Sequence, residues 1–304
     1  MNKLKRHTSS KSKLVFFGNE RLATGVSTDV PTLRALVGAG YQVMAVISSH
    51  SQGVSRKKRV LEIVDVAHAY HIPVHLPKKV ADIKTDIAKL GAEAGILVAF
   101  GQLLPPEVID IFPKGIINIH PSLLPKLRGT TPVETAILNG FTQTGVSLMQ
   151  LSAEMDAGPV YVQSAVKLTG TETKPELARL LLNEGAQLLM EHLDSILGGS
   201  LKARPQDETE ASFTRLLTKA DGQIDFGEPA DLIERKVRAF LDFPKTRAKI
   251  FGRDIVMTKA RVATDQSDGN LVIKCQPGYL EIIELIAPSG RTVSGAEFTR
   301  GYQK

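Results

Sequence analysis

Short apolar segments alternate with helix-forming segments through the first half of the chain, and this alternation most restricts the fold. Residues 14–18, 42–48, 94–100 and 116–120 have the length and composition of buried strands. Helical patterns separate them, including those at 30–39 and 81–90. Strands that alternate with helices favour a sheet covered by helices on both faces. The sequence therefore predicts an α/β domain built on a doubly wound, mostly parallel, Rossmann-like sheet.

The pattern changes after a polar stretch at 200–212, which has the composition of a linker. Beyond this stretch the chain predicts short strands separated by turn signals, at 247–251, 255–263, 270–275 and 279–287. Such a series favours a small β-barrel. We therefore expect four parts: a disordered basic tail at 1–12, an α/β domain at 13–199, a linker at 200–212 and a C-terminal barrel domain at 213–304.

The composition indicates the cellular compartment and the kind of partner that the protein binds. The single cysteine, Cys275, cannot form an internal disulfide, which favours a reducing cytoplasm. No apolar run is long enough to span a membrane, and the basic N-terminus lacks the apolar region of a secretory signal. Positive charge is concentrated at 56–59 and at 235–261, the latter with nine Lys or Arg against two Asp. A polyanionic partner is a hypothesis that would explain both patches.

Candidate chemistry lies where the apolar strand at 116–120 ends. Asn118 and His120 stand two residues apart, so a strand would direct both side chains to the same face. Pro121 makes further strand unfavourable, which puts the pair at the carboxyl end of the strand. In open α/β sheets, ligands bind at that end. No Gly-x-Gly-x-x-Gly follows the first strand, so the dinucleotide fingerprint is missing.

The residues around this pair form a longer pattern. It reads Asn118-x-His120-x-Ser122-Leu123-Leu124-Pro125-x-x-Arg128-Gly129, with Asp156-x-Gly158 downstream. This pattern resembles the folate-dependent formyltransferases. The second half is similar to the C-terminal, oligonucleotide-fold-like domain of the tRNA-formylating members, through Lys219-Ala220-Asp221-Gly222-x-Ile224-Asp225-Phe226 and Arg238-Ala239-Phe240. One departure is that Asp242-Phe243-Pro244 stands where the family usually has Trp-Pro.

The resemblance implies an enzyme that moves a formyl group from 10-formyltetrahydrofolate to the α-amino group of a methionyl initiator tRNA, for translation initiation. Negative charge then develops on the formyl oxygen, and Asn118 would donate a hydrogen bond to it. His120 would either take part in proton transfer or donate to the oxygen as a cation, and the sequence leaves both roles open. Asp156 would orient His120.

The resemblance also implies two binding regions. The reaction that it implies needs no metal. The folate would lie against residues from two segments: Phe100, Gln102, Leu103, Leu104, Ser122, Leu123, Leu124 and Pro125. The tRNA would contact a basic run that precedes a predicted helix: Arg56, Lys57, Lys58 and Arg59.

Two other functions stay open on the sequence alone. The first is a folate-dependent formyltransferase that acts on a small amine, such as glycinamide ribonucleotide or an amino-sugar nucleotide. The second is a non-catalytic RNA-binding protein on the same scaffold. The second domain and the basic run argue against the first, and the intact Asn118, His120 and Asp156 argue against the second. We expect the chain to act as a monomer.

Overall fold

The first half of the chain folds around a seven-stranded sheet. The structure is a computed structural model that describes residues 11–49, 61–267 and 270–302. The strands of this sheet are β1 (Lys13–Gly18), β2 (Gln42–Ile47), β3 (Val74–His75), β4 (Ala94–Val98), β5 (Ile116–His120), β6 (Gln143–Gln150) and β7 (Val160–Lys167). Their order is β3-β2-β1-β4-β5-β6-β7, and the first five are parallel, whereas β6 pairs antiparallel with β5 and β7 pairs antiparallel with β6. The predicted mostly parallel sheet is therefore confirmed.

Helices cover both faces of this sheet. They are α1 (Pro31–Gly38), α2 (Glu62–Ala69), α3 (Lys84–Lys89), α4 (Pro106–Ile109), α5 (Pro132–Leu138) and α6 (Lys174–Leu197). One hydrophobic core lies on each face, and strands alternate their side chains between the two: Leu14 and Phe16 enter one, Val15 and Phe17 the other. The predicted helix at 81–90 is divided, since a 3₁₀ turn at Val80–Ile83 precedes α3.

The second half folds around a separate antiparallel sheet. It contains β8 (Thr246–Ile250), β9 (Arg253–Ala263), β10 (Val272–Lys274), β11 (Tyr279–Ile286) and β12 (Thr292–Ser294), with helices α7 (Ala230–Ala239) and α8 (Gly295–Tyr302). The strand order is β10-β11-β9-β8, and β12 pairs with β11. Ile233, Leu280 and Phe298 belong to a hydrophobic core that is distinct from those of the first half. This arrangement is consistent with the predicted OB-like barrel.

Polar side chains join the two halves. The buried ammonium group of Lys174, at the start of α6, donates to the carbonyl oxygens of Thr24 (2.9 Å) and Phe243 (3.0 Å). On α7, Arg235 Nε donates to the carbonyl oxygen of Leu138 at the end of α5 (2.9 Å). These bonds connect α7 and the residues just after it to the end of α5 and to the start of α6.

Some sequence predictions concern residues that the structure does not describe. Residues 1–10 of the predicted tail and the proposed tRNA contacts Arg56, Lys57, Lys58 and Arg59 lie outside the described residues. Among the helices in the described part of the chain, none has the length and hydropathy needed to cross a membrane.

Candidate active site

Strand β5 sets the geometry of the site. Asn118 and His120 alternate with Ile117 and Ile119, which enter the hydrophobic core on the opposite face of the sheet. Asn118 is 6% exposed and His120 is 4% exposed. Among the residues that the structure describes, none forms a hydrogen bond with the side-chain amide of Asn118. The amide is therefore available to a bound molecule.

Both ring nitrogens of His120 face oxygen atoms. Nε2 lies 3.0 Å from the carbonyl oxygen of Leu127. A carbonyl oxygen can only accept, so the Nε2 proton is the donor in this contact. Nδ1 lies 3.6 Å from Oδ2 of Asp156. An oxygen acceptor therefore lies opposite each ring nitrogen of His120, so a proton on either nitrogen would face a protein oxygen.

Asp156 reaches His120 by an indirect route. Strand β6 runs antiparallel to β5, so its last residue, Gln150, pairs with Ile117 near the start of β5. The following loop then turns back and brings Asp156 to His120. Asp156 has a positive φ of 51°, which is uncommon for a residue other than glycine. Its Oδ2 accepts a hydrogen bond from the backbone N–H of Gly129 (2.8 Å).

The loop at 121–129 closes over the end of β5 and is fixed by polar contacts. Ser147 of β6 donates through its hydroxyl to the carbonyl oxygen of Ser122 (2.7 Å) and accepts from the N–H of Leu124 (3.0 Å). The hydroxyl of Ser122 donates to the carbonyl oxygen of Lys126 (2.6 Å). The peptide bond between Leu124 and Pro125 is cis.

The residues proposed to bind folate have different environments. Phe100 and Leu104 are buried in the core beneath β4, where Phe100 packs edge-on against Phe17. In contrast, Leu103 is 74% exposed, and Gln102 is half-buried, with its amide near the carbonyl oxygen of Pro77 (3.5 Å).

The second proposed folate segment lies in the 121–129 loop. Ser122 and Leu124 are buried, whereas Leu123 and Pro125 are half-buried. A cleft of about 420 Å³ opens beside this loop, and Ser122 and Leu123 line it together with Thr142. The lining of this cleft does not include the residues at 100–104.

One charged group of the site was assigned no role by the sequence reasoning. Arg128 is 2% exposed, and its guanidinium donates to Gln206 (2.9 and 3.1 Å) and to Glu208 (2.7 and 2.9 Å). The hydrogen bonds that Glu208 accepts from Arg128 raise the pKa of the Arg128 guanidinium above its usual value. Arg128 and Gly129 belong to the motif described above, so the sequence offered a reason to expect a role for Arg128. The sequence offered no such reason for Gln206, because it lies in a polar stretch without periodicity.

Within 11–49, 61–267 and 270–302, no three or more His, Cys, Asp or Glu side chains are grouped so that they could hold a metal ion.

Comparison with known proteins identifies the class that this sheet and this site define. The formyl transferase family model matches residues 30–193, and the model for the formyl transferase C-terminal domain matches residues 216–303. The chain belongs to the formyl transferase family. Methionyl-tRNA formyltransferase from Chloroflexus aurantiacus (strain ATCC 29366 / DSM 635 / J-10-fl) is 34% identical over 305 residues, which cover 95% of this chain and 96% of that protein.

Solved structures share the fold at lower sequence identity. HypX from Aquifex aeolicus in complex with tetrahydrofolic acid has a TM-score of 0.65 at 16% identity, covering 97% of this chain and 48% of that one. An N-formyltransferase from Helicobacter canadensis, in complex with folinic acid and dTDP-3-aminofucose, has a TM-score of 0.67 at 17% identity. That match covers 91% of this chain and 95% of the other. These similarities support the fold.

Proposed function

We propose that the protein transfers the formyl group of 10-formyltetrahydrofolate to the α-amino group of methionyl initiator tRNA. One observation carries this proposal: the chain matches methionyl-tRNA formyltransferase over 95% of its length, including the second half, at 34% identity. The small-amine alternative has weaker support, because the N-formyltransferase solved with dTDP-3-aminofucose also covers 91% of this chain but is only 17% identical to it.

Asn118 is proposed to stabilise the charge that develops on the formyl oxygen. When the amine attacks the formyl carbon, the carbonyl oxygen gains negative charge, and a donor fixed in advance lowers the barrier. The amide of Asn118 suits this role because it is buried on a central strand and forms no hydrogen bond with any described residue. A ligand oxygen would satisfy a donor that the protein leaves unpaired.

His120 and Asp156 are proposed to handle the proton of the attacking amine. Asp156 lies 3.6 Å from Nδ1 and would orient the ring, while Nε2 donates to the carbonyl oxygen of Leu127. A ring nitrogen that leaves its protein oxygen can accept a proton from the amine or donate to the developing oxyanion. Proton transfer by a positioned group contributes roughly 10²–10⁴ in rate.

10-Formyltetrahydrofolate supplies the formyl group in this proposal. The exposed Leu103 and half-buried Gln102 of one segment, and the half-buried Leu123 and Pro125 of the other, offer apolar and polar surface for the folate. Phe100, Leu104, Ser122 and Leu124 are buried and would support those walls from behind.

The second half is proposed to bind the tRNA backbone. Three of its cations are already paired within α7 or beside it: Arg235 with Asp231, Lys236 with Glu228, and Arg238 with Glu234. Arg247 and Lys249 differ, since both are exposed on the same side of β8 and neither forms an ion pair with a described residue. Exposed cations on a regular strand suit phosphate contacts.

The remaining expectations belong to the same proposal. The chain is divided into a tail at 1–12, a catalytic domain at 13–199, a linker at 200–212 and a tRNA-binding domain at 213–304. It acts in the cytoplasm. It acts as a monomer, because the groups assigned to the reaction all come from one chain. Light scattering of the purified protein would measure its mass directly.

The proposal is tested by incubating the pure protein with 10-formyltetrahydrofolate and initiator tRNA charged with methionine. Formyl-methionine, released from the tRNA and identified by mass, is the expected product. His120→Gln serves as the control, because it removes the proposed proton-handling group without changing charge at other positions. Absence of formyl-methionine, with formylation of a small amine in its place, would overturn the assignment of tRNA as substrate.

A further inference from the structure

A segment between the two matched domains runs across the proposed active site. Residues 204–215, here called the strap, follow the formyl transferase match at 30–193 and precede the C-terminal match at 216–303. The strap begins by pairing with the start of β7, where Arg204 and Val160 exchange backbone hydrogen bonds of 2.8 Å in both directions. It then crosses the 121–129 loop. A polar stretch that reads as a linker is therefore a fixed part of the first half.

One side chain of the strap joins the two loops that surround His120. The amide oxygen of Gln206 accepts two hydrogen bonds from Arg128 of the 121–129 loop. Its amide nitrogen donates to the carbonyl oxygens of Asp156 (2.8 Å) and Gly158 (2.7 Å). Every hydrogen-bonding group of this amide is engaged, so its orientation is fixed.

These bonds act on the residue that contacts His120. Asp156 has a left-handed backbone conformation, and Gln206 holds its carbonyl group in that conformation. The carboxylate of Asp156 is held from the other side by the N–H of Gly129, next to the Arg128 that Gln206 also binds. Displacement of Gln206 would therefore remove the support of the Asp156 carbonyl group and one of the two side-chain partners of Arg128.

The other acceptor that faces His120 is also held by the strap. Leu127, whose carbonyl oxygen contacts Nε2, has a φ of 60° and donates its N–H to the hydroxyl of Ser212 (2.9 Å). Beyond it, Thr214 lies over Gly129 so closely that a Cβ at position 129 would be 2.7 Å from the Thr214 hydroxyl. Only glycine fits beneath the strap at that point.

We infer that the strap positions the His120–Asp156 pair, and that Gln206 is its main positioning residue. This inference rests on the proposed function, because it assigns the strap to the formyl-transfer step. Gln206 itself has no role in the chemistry; it keeps Asp156 at the distance from His120 that the reaction needs. Asp156 is the charged group in contact with His120, and the nearby Arg128 acts on Asp156 electrostatically.

Two substitutions separate the contacts of Gln206. Gln206→Met keeps the length of the side chain and removes all of its hydrogen bonds. Gln206→Glu keeps an acceptor for Arg128 and removes the donors to Asp156 and Gly158. Both should lower kcat on the order of 10²-fold, the loss expected from misplacing a reacting group by about 1 Å. KM for tRNA should change by less than about threefold, because remote binding is untouched.

Glu210→Gln is the matched control, since Glu210 is an exposed carboxylate of the strap. It should retain the parent kcat. Thermal unfolding of each variant shows that the fold is retained, and the near-isosteric Gln206→Glu provides a folded variant even where Gln206→Met is destabilised. Parent turnover in Gln206→Glu would overturn the inference.

A spectroscopic measurement reads the same contact without catalysis. The His120 imidazole resonance is identified by its loss in His120→Gln and compared between parent and variant at one fixed pH. In Gln206→Met the carboxylate of Asp156 moves from its place beside Nδ1, so the chemical shift of the His120 ring should change. Identical His120 resonances in parent and variant would overturn the inference. An inactive parent protein whose His120 resonance still moves in Gln206→Met would instead contradict the proposed function and leave the positioning role supported.

Discussion

The carboxylate of Asp156 accepts from the backbone N–H of Gly129 at 2.8 Å, and the same oxygen lies 3.6 Å from Nδ1 of His120. A single oxygen thus links the 121–129 loop to the histidine on β5. Strand β6 lies between His120 and Asp156 in the sequence. This contact therefore depends on the antiparallel pairing of β6 with β5. Changes at either residue should therefore act on the same step.

Asn118→Ala should lower turnover by about 10²–10³-fold, the typical cost of losing one donor to a developing oxyanion. The fold should be retained, since the Asn118 amide forms no hydrogen bond with a described residue and its removal leaves no partner unsatisfied. Single-turnover formylation rates measure the effect. A variant with parental turnover, under conditions where chemistry limits the rate, would contradict the proposed role.

Asp156→Asn should lower turnover by at least about 10²-fold, because an amide cannot stabilise an imidazolium as a carboxylate does. An Asn can still accept the hydrogen bond from Gly129, so the loop should keep its shape. Glu154→Gln is the matched control, as it neutralises an exposed carboxylate in the same loop. Equal turnover in the two variants would show that the charge of Asp156 is not needed.

Neutralising Arg56, Lys57, Lys58 and Arg59 together should weaken the use of tRNA and flatten its dependence on salt. Each phosphate contact that is lost reduces the slope of log affinity against log salt by roughly 0.7–0.9. Folate affinity should be unchanged. The measurement is kcat/KM for tRNA at several salt concentrations, and equal slopes for variant and parent would show that the run does not contact phosphates.

Glu20 predicts a pH dependence of stability. This carboxyl group is fully buried and accepts from the N–H groups of Thr32 and Leu33 at the start of α1 (2.8 Å each). Burial raises the pKa of Glu20 to about 7. The folded protein then binds a proton that the unfolded chain has already released, so stability should fall as pH rises from about 4.5 to about 7.

Glu20→Gln mimics the protonated group and should remove this slope, which corresponds to about 3 kcal/mol over that interval. Urea unfolding at several pH values measures it. Glu107→Gln is the control, because Glu107 is exposed and should leave the slope unchanged. An unaltered slope in Glu20→Gln would mean that other groups cause the pH dependence.

The sequence could place Asn118 beside His120, because the two-residue period of a strand is a local property. The positions of most strands along the chain were predictable for the same reason. The division of the helix predicted at 81–90 was not, since a 3₁₀ turn and a short helix share one hydrophobic pattern. The contact of Asp156 with His120 requires the path of β6 and a left-handed residue, neither of which periodicity reveals. Gln206 was missed because its partners are set by tertiary structure.

The strap has a consequence for how the protein is made. Leu127 donates its backbone N–H to the hydroxyl of Ser212, which is 85 positions later in the chain. Once residues up to Lys167 have left the ribosome, every residue of the seven-stranded sheet has emerged, including the Asn118–His120 pair. The loop beside that pair can be completed only after the strap has emerged. The nascent chain therefore holds all seven strands of the sheet before it holds the bonds that fix the loop of its active site, and a chain that ends before the strap would lack those bonds.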